Sequence, residues 1–432
     1  MASGPPKKVA IIGAGLAGLG LALALHARSI PCTIYELRLP SKVTTGALML
    51  SPNALGVLDS LGVYERIRNK GYNFENIAFK NDKEETTDLY PLGNEKLYGY
   101  KALRIYRQVL LTELRTMVQE RDIQVIYEKK FSRVLQESAD EGVTFQFEDG
   151  STAQADLLVG TDGIHSTVRQ KVSPSTTPLY SGMLAITCVI PTSKLRFPAD
   201  KDYSTLPVAI HGKAGTFIFA PQDVDGSEVL AGSQKRYPEQ SKAEWSRLFG
   251  AKDELLALLS ANRADWPDIV QSGLENVPKH TLSIWPFYIV PKLAAWRSEK
   301  QRVIILGDAA HAIPPTAGQG ASQAFEDAFT LAFLLSRLSP QIQLAAALEF
   351  WQNYRQERVD QVIALTQQLN NMRLPAAERE KLGKGEIWRS GDEAQLEWLY
   401  VPRIEERLAT WVEEAEKREG GEDGTVQKSL IS

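Results

Sequence analysis

The chain has 432 residues, 43% of them hydrophobic, and a formal net charge of −4. That balance excludes a disordered chain, which would bury too little apolar surface, and a basic nucleic-acid binder. Cys32 and Cys188 are its two cysteines, both in apolar, strand-like surroundings. They argue for a reducing, cytoplasmic compartment without a disulfide framework. The length suits two domains with sizeable cores.

In chain order, Lys7-Lys8 precede an uncharged run from Val9 to Ala27 that imitates a signal peptide or membrane span. The glycines argue otherwise, because Gly13, Gly15 and Gly18 would weaken a hydrophobic helix but have the spacing of a phosphate loop. No other apolar run approaches spanning length, so no membrane span is expected. Val9–Ile12 reads as a buried strand entering this G-x-G-x-x-G, and an apolar helix follows. A second strand, Cys32–Tyr35, ends in Glu36, 18 residues after Gly18, which suits a carboxylate accepting hydrogen bonds from an adenosine ribose. Gly13 permits the tight turn, Gly15 lets backbone approach a pyrophosphate, and Gly18 lets the helix pack closely on the strand.

Ser51-Pro52, residues 53–61 and Gly62 predict a short helix with an N-cap serine, a first-turn proline and a terminal glycine. Residues 107–121 read as an amphipathic helix, 124–127 as a strand, and 131–137 and 143–147 as strands before an Asp149-Gly150 turn. A buried strand from residue 155 then ends in an Asp162-Gly163 turn expected to open a helix. This alternation argues for a parallel sheet with helices on its faces. Residues 176–284 differ. Short β-rich runs at 184–190, 208–211, 216–220 and 229–233 precede helical stretches over 241–272. Next, an apolar strand over 303–306 ends in Gly307-Asp308, followed by Pro314-Pro315 and Gly318-Gln319-Gly320, with a helix from near Gln319. A strand-end carboxylate can hold a polyol hydroxyl, and a glycine turn opening a helix presents N–H groups and a positive dipole end to an anion. Residues 341–371 predict one or two helices. A charged helix is expected around 395–416, with a frayed tail after Gly420.

Taken together, the segments at 9–18, 155–169 and 307–320 resemble the class A flavoprotein monooxygenases, the family of para-hydroxybenzoate and salicylate hydroxylases. Two weaker signatures fit: residues 46–54 resemble the family's loop beside the isoalloxazine, and Tyr106-Arg107-Gln108-Val109-Leu110 the segment whose arginine reaches the flavin. The resemblance spans about residues 8 to 370. It implies an α/β fold, with a Rossmann-like FAD-binding parallel sheet, an interleaved β-rich substrate domain and C-terminal helices. The FAD-binding part would comprise 1–73, 101–175 and 285–370, the substrate-side sheet 74–100 and 176–284, and the C-terminal helical segment 371–432. The implied cofactor is FAD, with NADPH or NADH as co-substrate. The implied reaction uses O2 to hydroxylate an aromatic molecule through a flavin C4a-hydroperoxide, in a monomer or homodimer.

On this resemblance Gly13, Gly15, Gly18, Glu36, Arg107, Asp162, Gly307, Asp308, Gly318, Gln319 and Gly320 are the expected cofactor residues. Gly318 and Gly320 would stabilise charge on the reduced flavin, and Pro314 would stiffen the wall beside it without offering an N–H. An apolar, aromatic pocket must exclude water, and Phe217, Phe219, Gln234 and Trp285 are candidates to line it. His211 and Tyr288 are candidate bases for a phenolic substrate. Phe217 and Phe219 alternate on one strand and fit a core equally well. His165 and His311 lie at helix starts and fit hydrogen-bonding or packing roles better than an acid–base pair. No metal site is expected. One departure from the family concerns residues 183–190, which carry no arginine to anchor a carboxylate. That argues against simple salicylate or benzoate and for a larger, less charged aromatic. The alternatives are epoxidation or oxygen insertion on the same fold, an NAD(P)H-linked flavin dehydrogenase, and a flavin-bearing binding protein without turnover.

Overall fold

The computed structural model describes residues 4–41, 46–392 and 394–420. Strands β1 (Val9–Ile12) and β2 (Cys32–Tyr35) flank helix α1 (Leu16–His26), and β3 (Ala47–Leu50) leads into α2 (Pro52–Ser60). Three short strands follow: β4 (Tyr72–Phe74), β5 (Ile77–Lys80) and β6 (Thr86–Tyr90). Strand β7 (Ala102–Tyr106) then enters α3 (Arg107–Glu120). Next come β8 (Gln124–Ile126), β9 (Phe131–Ser138), β10 (Gly142–Phe147), β11 (Thr152–Ala155) and β12 (Leu157–Gly160). The long β13 (Leu179–Pro191) precedes β14 (Val208–Gly212), β15 (Gly215–Pro221) and β16 (Glu228–Arg236). Helices α4 (Lys242–Gly250), α5 (Lys252–Ser260) and α6 (Asp268–Glu275) lead to β17 (Ser283–Ile289) and β18 (Val303–Ile305). The one-turn α7 (Asp308–His311), α8 (Gly320–Ser336), α9 (Leu344–Met372) and α10 (Ile404–Gly420) complete the chain.

Two sheets organise these elements. A parallel five-stranded sheet has the order β18-β12-β1-β2-β8; β18, β12 and β1 are buried throughout, as parallel strands covered on both faces must be, while the edge strand β8 is partly exposed. Its apolar helix α1 packs against α8 and the strands, in one large core. The second sheet has seven strands in the order β17-β13-β16-β15-β14-β5-β6. Side chains alternate across it. Val208 and Ile210 on β14, with Phe217 and Phe219 opposite them on β15, pack outward against α4–α6. Ala209 and Phe79 face the other way, into a cluster with Val362, Leu365 and Leu369 of α9 and with Trp388 and Tyr400. That inner face is turned toward the cofactor half. A small sheet, β3-β7-β4, bridges the halves: Arg104 Nε donates to Gln222 Oε1 at 2.8 Å, and Tyr106 OH to Glu228 Oε2 at 2.9 Å.

Several expectations need correction. The turn at Asp162-Gly163 opens only a single helical turn, Arg169–Val172, rather than a full helix. Ser51 occupies the N-cap of α2 but gives it no side-chain hydrogen bond, because its hydroxyl is committed to Asn53, Ser322 and Gln319. The boundary expected at 284/285 falls inside β17, which pairs with β13. The C-terminal helix is broken into Glu397–Tyr400 and α10, since Pro402 disfavours helical backbone at Val401 (φ −124°, ψ 67°). The tail beyond residue 420 lies outside the described residues.

Candidate active site

The C-terminal ends of neighbouring parallel strands carry the three motifs to one edge of the sheet: Gly13 after β1, Glu36 after β2, Thr161-Asp162 after β12 and Gly307-Asp308 after β18. Gly13 takes φ +107° and its N–H donates to Tyr35 O at 2.9 Å. Helix α1 begins at Gly15 with no side-chain cap and no acidic residue in its first turn. A Cβ built at Gly15 would meet nothing within 4 Å, so open space lies before an uncapped helix start. Glu36 stands beside it, Oε2 accepting from Ala14 N at 2.6 Å and Oε1 from Arg38 N at 2.8 Å. An open glycine, a positive helix end and a neighbouring carboxylate are the parts a ribose–pyrophosphate needs.

Asp308 is open to solvent yet densely surrounded by protein, which places it in a concavity. Desolvation there raises its carboxyl above the ordinary value; His311 and Arg107 pull it back, while Asp327 adds to the rise. Arg107, at the start of α3, is half-buried, and desolvation lowers its pKa against the pull of Asp308. Asp162 behaves differently. Its Oδ1 accepts from Ser166 Oγ at 2.5 Å, and its Oδ2 from the N–H groups of Thr167 and Val168 at 2.7 and 3.2 Å. Both oxygens thus shape their own turn.

Beneath this surface lies wiring that sequence reading missed. Thr161 Oγ1 donates to Ile12 O and Gly13 O, both at 2.9 Å, tying the second motif to the first. Arg169 is buried and donates to Ala309 O at 2.9 Å and Ile164 O at 2.7 Å, tying the second to the third. Asp327 Oδ2 accepts from Gly307 N at 2.9 Å and pairs with His311 Nε2 at 2.6 Å, while Oδ1 accepts from Arg355 Nε at 2.8 Å. Glu326 binds Arg358 Nε at 2.7 Å, Asn53 Nδ2 at 2.6 Å and Arg355. All four of these acid and arginine side chains are buried. The available signal was Glu326-Asp327 set inside the apolar run of α8, with Arg355 and Arg358 three apart on α9.

Gln319 sits in the same network. It is fully buried, its amide donating to Ser51 Oγ at 2.9 Å and accepting from Asn53 and Gln323. Its side chain therefore does not reach the cofactor space and instead anchors the loop. His311 packs on Trp296, with centroids 4.9 Å apart and the rings tilted by 40°, and pairs with Asp327, so it serves both packing and hydrogen bonding. Helix α8 starts at Gly320 without a side-chain cap, and a Cβ on Gly318 would lie 3.8 Å from Met49 Cβ. The Pro314–Gly320 loop thus faces β3 with its first-turn N–H groups uncapped.

The substrate-side residues separate into three groups. Phe217 and Phe219 are fully buried on the outer face against Trp266 and α4–α6, so they are core, because strand alternation points them away from the cofactor half. Tyr288 accepts from Trp245 Nε1 at 3.2 Å and packs on Tyr180 and His165, apart from His211. His211, Gln234 and Trp285 share the inner face. Strand register puts His211 beside Thr216, and Gln234 beside Ala185, which pairs with Trp285. His211 Nδ1 and Thr216 Oγ1 lie 2.8 Å apart, while His211 Nε2 and Gln234 Oε1 are buried without a partner. Burial, assisted by Arg379 and Arg373, pushes the His211 pKa down to about 3. His211 is therefore neutral near pH 7 and a weak base, suited to sharing a hydrogen bond rather than taking a full proton.

Fold and cleft define a flavoprotein: a dinucleotide edge faces the inner side of a second, ligand-ready sheet, and the residues present fit FAD. Residues 7–368 match the family described as FAD binding domain, and the chain belongs to that family. The 3-amino-4-hydroxybenzoate 2-monooxygenase of Streptomyces cremeus is 30% identical over 330 residues, 75% of this chain and 77% of that protein. The 6-hydroxynicotinate 3-monooxygenase of Bordetella bronchiseptica is 26% identical over 364 residues, 83% and 90% of the two chains. Klebsiella pneumoniae HpxO, crystallised with FAD and uric acid, superposes with a TM-score of 0.71 at 22% identity, covering 94% of this chain and 96% of that one. A salicylate hydroxylase substrate complex gives 0.69 at 21% identity, over 96% and 98%. These relatives make the protein an FAD-dependent monooxygenase. Among the described residues no helix is long and apolar enough to cross a membrane, and no cluster of metal-ligating side chains is present.

Proposed function

We propose that the protein uses NADPH or NADH and O2 to hydroxylate an aromatic substrate held between the Pro314–Gly320 loop and the inner face of the seven-stranded sheet. The observation that carries this reading is the row of unpartnered polar atoms on that face, His211 Nε2 and Gln234 Oε1, beside an FAD-type cleft. FAD, when bound, accepts a hydride from the nicotinamide and activates O2 for transfer to the ring. The chain's own residues do the rest. Glu36 and the open start of α1 hold the ribose–pyrophosphate, Asp308 and Arg107 the polar chain beyond it, and Asp162 sets the turn beside it. Uncapped N–H groups at Gln319 and Gly320 face developing negative charge, whereas the Gly318 N–H, expected to join them, is committed to Pro315 O at 2.9 Å; Pro314 closes the wall without a proton to donate. Phe79, Trp388 and Tyr400 keep water from the inner face. Neutral His211 accepts or donates one hydrogen bond to the substrate. Tyr288, with its separate aromatic setting, is not assigned to the ring.

We place this activity in the cytoplasm, in a monomer or homodimer without nucleic-acid partners. Burial raises both free thiols, Cys32 and Cys188, to about 12, so neither is a reactive thiolate. The direct experiment is NADPH consumption in air against phenols, indoles and polycyclic aromatics, with product mass read from the same samples. A compound that accelerates consumption and gains one oxygen atom supports hydroxylation. Turnover that continues without O2 and adds no oxygen replaces it with a dehydrogenase.

Two variants refine the assignment. Asp308→Ala removes a charged acceptor from the cleft, and FAD should bind roughly 10- to 100-fold more weakly, the worth of one hydrogen bond to a charged group. Purification with full flavin would refute the role of Asp308. His211→Ala should lower kcat/KM about 3- to 10-fold at unchanged FAD content, the worth of one neutral hydrogen bond. Unaltered kinetics would remove His211 from the substrate site.

A further inference from the structure

The interior between the Pro314–Gly320 loop and the seven-stranded sheet is closed by chain that lies beyond the family match at residues 7–368. Between Arg379 and Glu397 the described backbone forms turns rather than helix or strand. Helix α9 holds these turns from one side, Gln368 Nε2 donating to Gly385 O and Asn371 Nδ2 to Glu386 O, both at 2.9 Å. The β5–β6 hairpin holds them from the other, Asp88 Oδ2 accepting from Ser390 N at 3.0 Å. The anchors fix Trp388, only 2% exposed, in a cluster with Ala317 of the loop and with Phe79 and Ala209 of the inner face. Its ring packs on Tyr90 at 4.8 Å and on Phe79 at 5.7 Å between centroids. His211 packs on the same Phe79 ring, at 5.4 Å.

The indole N–H of Trp388 is buried and meets no acceptor in the chain. An indole nitrogen can only donate, so no change of tautomer relieves it. A buried donor left unpaired is costly, and folded interiors pair nearly all of theirs. Other indoles here follow that rule: Trp351 Nε1 donates to Thr330 Oγ1 at 3.0 Å and Trp245 Nε1 to Tyr288 OH at 3.2 Å. Trp296 Nε1 is unpartnered as well, but its ring is enclosed with His311 and Trp351 in the core of the cofactor half. Trp388 differs in its company. Across Phe79 stands a second unpartnered ring nitrogen, His211 Nε2.

We propose that Trp388 is a specificity residue of the hydroxylation site: the substrate ring lies against Phe79, and a carbonyl oxygen or ring nitrogen on it accepts the Trp388 N–H. The proposal rests on the substrate placement given above. It narrows the aromatic substrate to one that carries such an acceptor, and it assigns the recognition to a segment outside the FAD-binding match.

The test uses FAD-loaded protein and probes of one shape: 2-naphthol, and 6-hydroxyquinoline, 7-hydroxyquinoline and 6-hydroxyisoquinoline, which place a nitrogen at successive positions of the second ring. Binding is read from perturbation of the flavin absorbance, with FAD content measured separately. For at least one nitrogen probe, affinity relative to 2-naphthol should fall about 3- to 10-fold in Trp388→Phe, the worth of one neutral hydrogen bond. Binding of 2-naphthol and FAD content should stay near the parent values, because the deleted N–H bonds nothing in the chain. A second reading needs no variant. With the eight tryptophans labelled with 15N, one indole N–H signal should move downfield with that nitrogen probe and not with 2-naphthol. An unchanged affinity ratio for all three nitrogen probes, no indole signal that separates them from 2-naphthol, or no binding of any probe at millimolar concentration would each overturn the proposal. Oxygen added to a probe while the ratio stays unchanged would overturn it and leave the hydroxylation reading intact. Trp388-dependent binding with oxygen added to no probe would support the donor role and count against the proposed hydroxylation.

Discussion

Asp327→Ala is expected to cost about 3–5 kcal/mol of stability and to release FAD from the purified protein, the penalty for leaving a buried partner uncompensated. One carboxylate holds three groups: the Gly307 N–H, the His311 ring and the Arg355 guanidinium. Removing it strips Arg355 Nε of its acceptor, leaves Glu326 alone to offset two buried arginines, and frees the strand-end turn that aims Asp308 into the cleft. Asp327→Asn keeps one acceptor oxygen and should fall between the two. Thermal melting and flavin content would check this. A variant that melts within about 1 °C of the parent and keeps its flavin would sink the argument.

The same network predicts an acid limit. Burial alone would raise the carboxyls of Asp327 and Glu326, but His311 and Arg355 around the first, and Arg358 and Arg355 around the second, overcome it and hold both down at about 2. A folded pKa below the unfolded one stabilises the protein above the unfolded value, near pH 4, and that stabilisation is lost as pH falls from there toward about 2. Flavin fluorescence should therefore rise in that window. Release complete above pH 5 would assign it to other groups.

The sequence reading and the structure agree where one local rule decides. The parallel strands read correctly because covered strands are continuously apolar, and Gly13 to Gly18 read correctly because turn, helix start and strand end lie within a few residues. Long-range pairing was invisible. Nothing local to Gln319 says that Ser51 and Asn53 will claim its amide, and nothing local to Trp388 says that Phe79 and Tyr90 will pack on it. The faces of the seven-stranded sheet also stayed hidden: alternation showed that Phe217 and Phe219 share a face, but only the helices α4–α6 packed on it decide that this face is core. Asp162 was legible as a turn residue, yet its commitment to Ser166, Thr167 and Val168 required coordinates.

Gly18→Ala should be the most damaging single methyl in the chain, and its contrast with Gly15→Ala separates folding from cofactor binding. A Cβ on Gly18 would stand 1.9 Å from Gly13 O and 2.6 Å from Thr161 Oγ1. Neither can yield cheaply: Gly13 is pinned by its bond to Tyr35 O, and Thr161 binds that same Gly13 carbonyl. Helix α1 cannot retreat either, because Phe325 of α8 already packs so closely on its other side that a Cβ on Gly20 would stand 2.8 Å from that ring. The overpacking should cost about 3 kcal/mol or more and take FAD binding with it. At Gly15 the same methyl meets no protein atom within 4 Å, and the backbone there (φ −79°, ψ −172°) suits alanine. Gly15→Ala should therefore fold and melt like the parent without FAD, yet bind FAD at least tenfold more weakly, because the methyl occupies the approach of the pyrophosphate. Melting with and without added FAD reads both variants. Equal losses of stability would mean that Gly15 serves the fold, and equal FAD affinity in Gly15→Ala and the parent would move the pyrophosphate elsewhere.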